Sequence, residues 1–318
     1  MRLGNSTAGG AARPPVRHWR IHLGAHKTAT THLQETLAAV RGDLLRQGID
    51  FLPSSRVREQ ALARALGQRR PSARLPILGT ARMRAAIEAA LTPLRVGPEV
   101  VAFSEENILG VPDHMFGVPL YPRAAPNVGR LASLAGRAEV VFFLSIRSYD
   151  TLIPSAYAET LKHAPPPPGG FREAWTRLLS APPSWFDLVA RIRAAAPKVP
   201  LRIWRQEDYR ANARAILEAF CGGALGPLPE ISDPTWTRSP SAGAIAEAEA
   251  LPRDLPHAER LARARAIFAA AEPGADRFRP LDPGERQRLR ALYEADLERI
   301  AGAWPDVLMP FEPRDLVA

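Results

Sequence analysis

Lysine and cysteine are almost missing from this chain. Of 42 basic residues in 318 only three are lysines, Lys27, Lys162 and Lys198, and Cys221 is the single cysteine. One cysteine excludes a disulfide framework within the chain and any Cys₂His₂ zinc site. No cluster of His, Cys or Asp has metal-ligand spacing, so no metal is expected. No apolar run approaches the ~20 residues that a membrane-spanning helix needs. The first twenty residues lack the apolar core of a secretory signal. These absences point to a soluble cytoplasmic protein, with only peripheral membrane contact left open. Two catalytic signatures are missing as well, the GxxxxGK[ST] phosphate loop and the GxSxG nucleophile elbow. The formal net charge is +9, but no block of five or six like charges occurs. Dispersed arginines without aromatic interleaving speak against nucleic acid as a partner.

What remains is globular: 46% apolar and 24% charged residues. The length is about twice the ~150-residue soft unit of a domain, so one large domain or two small ones are open. Residues 1–17, rich in Gly, Ala and Pro, read as a flexible N-terminal tail. Residues 18–318 read as one α/β domain, because strand and helix signals continue on both sides of the stiff PPPPGG loop (165–170). The 32 prolines imply short helices and frequent loops. Four segments have the look of buried strands: RIHLGA (20–25), VVAFS (100–104), VVFFLSI (140–146) and LRIWR (201–205). The near-continuous apolar runs among them fit a parallel sheet covered on both faces. Helical stripes lie between, Leu33, Leu37, Val40 and Leu44 in one and Ile216, Leu217 and Phe220 in another. Residues 284–300 form an amphipathic helix with Leu289, Leu292, Tyr293 and Leu297 on its inner face. Strands alternating with helices give a three-layer α/β sandwich, a mainly parallel central sheet flanked by helices.

The stretch HLGAHKTATTHLQ (22–34) carries the most chemistry. A strand runs into Gly24, a short turn holds Lys27, and Thr28, Thr30 and Thr31 open a helix. Such a turn aims free N–H groups and the positive end of a helix at one point, where a phosphate or sulfate belongs. Lys27 adds a mobile point charge. Gly24 stands only three residues before Lys27, so the turn is shorter than a nucleoside-triphosphate loop, which argues against an ordinary ATPase or kinase.

This stretch resembles the 5′-phosphosulfate loop of the sulfotransferase superfamily, whose members take a sulfuryl group from 3′-phosphoadenosine-5′-phosphosulfate (PAPS). Ala29 stands where many relatives have glycine. The resemblance implies a P-loop-like fold and donor contacts from Gly24, Ala25, His26, Lys27, Thr28, Ala29, Thr30 and Thr31. VVFFLSIRSYDTLIPSAY (140–157) adds a second point of likeness. The family's 3′-phosphate site uses an arginine at a strand end and a serine on the following helix, here Arg147 and Ser155. A guanidinium grips phosphate oxygens bidentately, and Pro154 should start or kink that helix. TRSPS (237–241) is similar to the segment that returns to the nucleotide, which makes Arg238 and Ser239 candidates. The likeness runs over residues 19–245, and the C-terminal helices beyond it carry no identified chemistry.

Sulfuryl transfer also needs a base. VVAFSEEN (100–107) ends a central strand with Glu105 and Glu106, and ligands of open α/β sheets sit beyond the carboxyl ends of strands. Its Ser104-Glu105-Glu106 is similar to the Ser-Ser-Glu of bacterial sulfotransferases, which favours Glu106. His26, His22, His32, Asp50 and Glu59 are rival bases, and either glutamate could instead cap the next helix or pair with an arginine. The expected activity is sulfuryl transfer from PAPS to a hydroxyl or amine of a small molecule, glycan or lipid. YPRAAPNVGR (121–130) and FREAWTRLL (171–179) carry enough arginine and aromatic residues to seat a sugar. A nucleotide kinase with a degenerate phosphate loop and a non-catalytic polyanion-binding module are the alternatives. Neither the acceptor nor the oligomeric state can be read from the sequence.

Overall fold

The apolar runs at 100–104 and 140–146 do lie next to each other's neighbour, on either side of the first strand. The computed structural model describes residues 13–60, 79–229, 240–270 and 276–311. Within them five strands form one sheet: β1 (His18–His22), β2 (Ile49–Leu52), β3 (Val100–Ser104), β4 (Glu139–Ile146) and β5 (Leu201–Arg205). Their order is β2-β3-β1-β4-β5 and every pair is parallel. Registers such as Ile21 opposite Phe103 and Phe142 stack the apolar residues in rows.

Alternate residues on the strands feed two separate cores. Trp19, Ile21, Val101, Phe103, Phe142 and Leu144 point to one face. There they pack on α4 (Thr80–Leu91), α5 (Ala124–Ala132), α6 (Tyr149–Thr160), α8 (Trp185–Ala195) and α12 (Pro283–Ala303). Phe51, Ala102, Phe143 and Trp204 point to the other face. They meet α1 (Thr30–Ala39), α2 (Arg41–Arg46) and α9 (Gln206–Cys221). The fold is therefore a three-layer α/β sandwich, as its strand and helix alternation requires. The central strand carries an arginine and a histidine on the second face. Arg20 donates from Nε to the Phe220 carbonyl at 2.6 Å and also reaches the Ala219 carbonyl. A cation thus meets the negative end of α9 and satisfies carbonyls left over there.

Several local expectations are corrected. The sequence pattern misses β2, because Asp50 interrupts its short apolar run. That carboxylate is buried, yet held by Arg41 at 2.8 Å and by the Val96 amide at 2.6 Å. The first strand ends at His22 rather than Ala25, since Leu23 to Ala25 already belong to the turn. The Leu33-to-Leu44 stripe spans two helices, broken at Val40. The inner face of α12 is Leu289, Tyr293, Leu297 and Ile300, whereas Leu292 is 41% exposed. Pro154 lies inside α6, which starts at Tyr149. Residues 13–17, assigned to the tail by composition, run beside the sheet, with Arg13 on the Thr92 carbonyl and Arg95 on that of Pro14. No helix of the described residues is long and apolar enough to cross a membrane.

Candidate functional site

Beyond the carboxyl ends of the strands, where open α/β sheets place their ligands, lies a cavity of about 1080 Å³. Its middle is the β1–α1 turn. Lys27 and Ala29 both have left-handed backbone, φ +67 and +66. Alternation of hand curls a turn into a concavity lined by N–H groups. Ala29 is the N-cap of α1 and offers no side-chain cap, so the positive end of the helix opens on the cavity that Ala29, Thr30 and Thr31 line. An L-residue in this conformation costs ~1–2 kcal/mol, which explains why glycine would sit well at position 29.

Gly24 is needed for a different reason. A Cβ there would stand 2.6 Å from the Glu106 Cα, and φ is +65. The missing side chain lets the end of β3 close directly on the turn. Glu106 thereby reaches the cavity wall. Burial pushes its pKa up to about 7; Arg58 and a hydrogen bond from Thr30 oppose the rise, while Glu105 and Glu159 add to it. Glu105, its neighbour, is spent elsewhere. Its carboxylate accepts from the Asn107 amide at 3.0 Å, capping a 3₁₀ turn (Glu106–Ile108), and from Arg58 Nε at 3.2 Å.

The donor-loop candidates divide into two groups. His26, Lys27, Ala29, Thr30 and Thr31 line the cavity. Gly24, Ala25 and Thr28 do not, and they shape the turn from behind. The Thr28 hydroxyl donates to the Ala25 carbonyl at 2.7 Å and also meets Ser145 Oγ. Tyr121 buttresses the turn, its hydroxyl 2.9 Å from the His26 amide and 3.1 Å from His26 Nδ1. Burial lowers the His26 pKa to about 4.

The wall from β4 and α6 brings Arg147 and Ser155 to the same cavity. Arg147 Nη1 donates to the Lys27 carbonyl at 2.7 Å, and its Nε donates to Thr151 at 2.9 Å. The guanidinium is thus aimed along the mouth of the turn. Arg238 and Ser239 lie outside the described residues.

No family model and no curated relative matches the sequence. A solved structure of a sulfotransferase from Alicyclobacillus acidocaldarius is similar to 92% of this chain and 96% of that one, at 14% identity and a TM-score of 0.47.

Several contributions to the cavity escaped the sequence pattern, Gln34 and Glu35 of α1 and Gln206 of α9 among them. Glu159 and Lys162 enter from the end of α6, one and two turns beyond Ser155; that spacing was the available signal. Pro53, Ser54, Ser55 and Arg58 enter after β2 and in α3 (Ser54–Gln60). Arg265 and Phe268 enter from α11 (His257–Ala270), in the C-terminal part that had shown no chemistry. The two segments read as possible sugar seats are not in the cavity. Tyr121 is fully buried under His26, and Trp175 of α7 (Gly170–Ser180) donates to Glu285 at 2.8 Å.

The rival bases have other partners or places. His22 is buried against Trp204 with Nδ1 2.8 Å from Ser104 Oγ, and burial lowers its pKa to about 3. His32 lines the cavity with Nδ1 3.1 Å from the Tyr209 hydroxyl. Asp50 is held by Arg41 below the sheet edge, and the side chain of Glu59 lies outside the described residues. Among the described residues no group of three or more His, Cys, Asp or Glu converges on one point.

Proposed function

We propose that this protein is a sulfotransferase that moves a sulfuryl group from PAPS to an acceptor hydroxyl or amine. The observation that supports it is that Lys27, Arg147, Ser155 and Glu106, drawn from four separate elements, line one cavity. In this reading the amides of the β1–α1 turn, with Thr30 and Thr31, hold the 5′-phosphosulfate. Arg147 and Ser155 hold the 3′-phosphate. The cavity is large enough for a nucleotide and an acceptor together, since ligand pockets run to ~300–1,000 Å³.

Glu106 takes the proton of the acceptor hydroxyl as that oxygen forms its bond to sulfur. The bond between sulfur and the bridging phosphate oxygen breaks, and 3′,5′-ADP departs. Lys27 meets the charge growing on that oxygen, which is worth most in the transition state. A carboxylate with a pKa of about 7 is well matched to the base, because proton transfer is most effective when the pKa lies near the working pH. Acceptor selection falls to the β2–α3 side, where Ser54, Ser55 and Arg58, with Gln34 from α1, give a polar wall. That lining favours a hydroxyl-rich acceptor over an apolar one.

The test is thermal shift with 3′,5′-ADP and with ATP. At a hundred times its dissociation constant, 3′,5′-ADP is expected to raise Tm by about 5 °C. Stabilisation by ATP with no response to 3′,5′-ADP would favour a kinase and sink the reading. Equal, steeply salt-dependent stabilisation by any polyanion would favour a binding module instead.

A further inference from the structure

Two of the three lysines in the chain converge on one carboxylate. Lys27 Nζ lies 3.4 Å and Lys162 Nζ 2.8 Å from the same Oε2 of Glu159. The other oxygen faces His163 Nε2 at 3.7 Å. Building on the sulfuryl-transfer reading, we propose that Glu159 is a positioning residue, whose carboxylate seats the Lys27 ammonium over the donor turn and supplies the countercharge that keeps it an ammonium.

The surroundings of Lys27 are otherwise cationic. Arg147 comes from the end of β4 and binds the Lys27 carbonyl. Arg58 comes from α3, Lys162 and His163 follow α6, and Arg265 stands on α11. His26 precedes Lys27 in the turn, and His257 on α11 stacks on His163 at 5.7 Å. The carboxylates on the cavity wall are Glu35 of α1, Glu106, whose own charge is half suppressed near neutral pH, and Glu159, the one of them that pairs with Lys27. A half-buried ammonium among these cations needs a committed anion. Burial lowers the Lys27 pKa and Glu159 works against that fall. Burial would also raise the Glu159 pKa, but His163, Lys27 and Lys162 hold it far below the ordinary carboxylate range. Glu159 is therefore charged at every working pH.

The distances separate two jobs. Lys162 at 2.8 Å makes a direct charge-assisted bond and anchors Glu159. Lys27 at 3.4 Å is tethered more loosely, so it can turn toward an arriving phosphosulfate without first breaking a tight ion pair. A donor anion competes with Glu159 for the same ammonium.

The scarcity of lysine makes the test direct. Protein labelled with ¹³C-lysine gives three ε-methylene signals, assigned with Lys27→Arg and Lys162→Arg. In Glu159→Gln the Lys27 titration is expected to fall by about one pH unit or more, with Lys198 unmoved. Glu159→Asp, which keeps the charge, should hold it within about half a pH unit of the wild type. The alkaline limb of kcat for transfer from PAPS should move down with the Lys27 titration. Affinity for 3′,5′-ADP should stay equal or improve, since a competing anion is gone. A Lys27 titration that is the same in wild type and Glu159→Gln overturns the proposal, even if PAPS is a substrate. A Lys27 shift in a protein that neither binds 3′,5′-ADP nor uses PAPS supports the ion-pair role and overturns the sulfuryl-transfer reading instead. Should Glu159→Gln fail to fold, Glu159→Met, of similar length but without the charge, carries the test. The Lys27 titration should again fall by about one pH unit or more, and no change there would also overturn the proposal.

Discussion

Replacing Glu106 by glutamine should make the protein more stable at neutral pH, and increasingly so as pH rises. The side chain is only 21% exposed, and its pKa stands at about 7 against an ordinary 4.5. A folded-state pKa above the unfolded value means that stability is complete below about pH 4.5 and is lost as pH rises through about 7. The full difference corresponds to about 3 kcal/mol. Glutamine keeps the shape and hydrogen-bonding capacity but never ionises, so it escapes this penalty. Urea denaturation of both proteins at pH 5, 6, 7 and 8 reads the effect. The advantage of Glu106→Gln should grow by ~1.4 kcal/mol per pH unit up to about pH 7 and then level off. Parallel curves would mean that Glu106 titrates as an ordinary surface carboxylate, and the case for it as a base near neutral pH would fail. The same substitution should abolish transfer while 3′,5′-ADP still binds. Stability given up for a poised base is a common feature of active sites.

Other substitutions separate the parts of the site. Lys27→Ala should lower kcat by at least about 10²-fold with a smaller effect on donor KM, whereas Arg147→Ala should mainly raise donor KM; steady-state kinetics with PAPS distinguishes them. Gly24→Ala drives a Cβ into the Glu106 backbone and should cost ~2–3 kcal/mol, read by urea denaturation. Wild-type stability in that variant would show that β3 does not close on the turn. Ala29→Gly relieves a left-handed alanine at the N-cap and should gain about 0.5–1 kcal/mol; a loss would mean that the turn relaxes elsewhere.

Much of this molecule could be read from its sequence, for identifiable reasons. Runs such as VVFFLSI are apolar at every position because both faces of a parallel strand are covered, so β3 and β4 stood out. The β1–α1 turn stood out because strand, glycine, lysine and threonines follow in order over a few residues. β2 stayed hidden because Asp50 breaks its pattern, and only the distant partners Arg41 and Val96 explain a buried carboxylate there. Of the paired glutamates, sequence likeness favoured Glu106. What separates the two physically is the capping of the Asn107 amide by Glu105 and its closer hold on Arg58, at 3.2 Å against 4.0 Å for Glu106, and that depends on where Arg58 and Asn107 fall. Glu159 was hidden for another reason. A glutamate followed by a lysine three residues on looks like ordinary helix-surface pairing. Only the fold brings Lys27 from 132 residues away to the same oxygen.

The most direct measurement is a crystal structure with 3′,5′-ADP. The expected map shows one nucleotide in the cavity beyond the strands, with the Lys27 ammonium at its 5′ phosphate and the Arg147 guanidinium at its 3′ phosphate. A nucleotide that binds elsewhere, or that touches only one of the two, would contradict the proposed donor site.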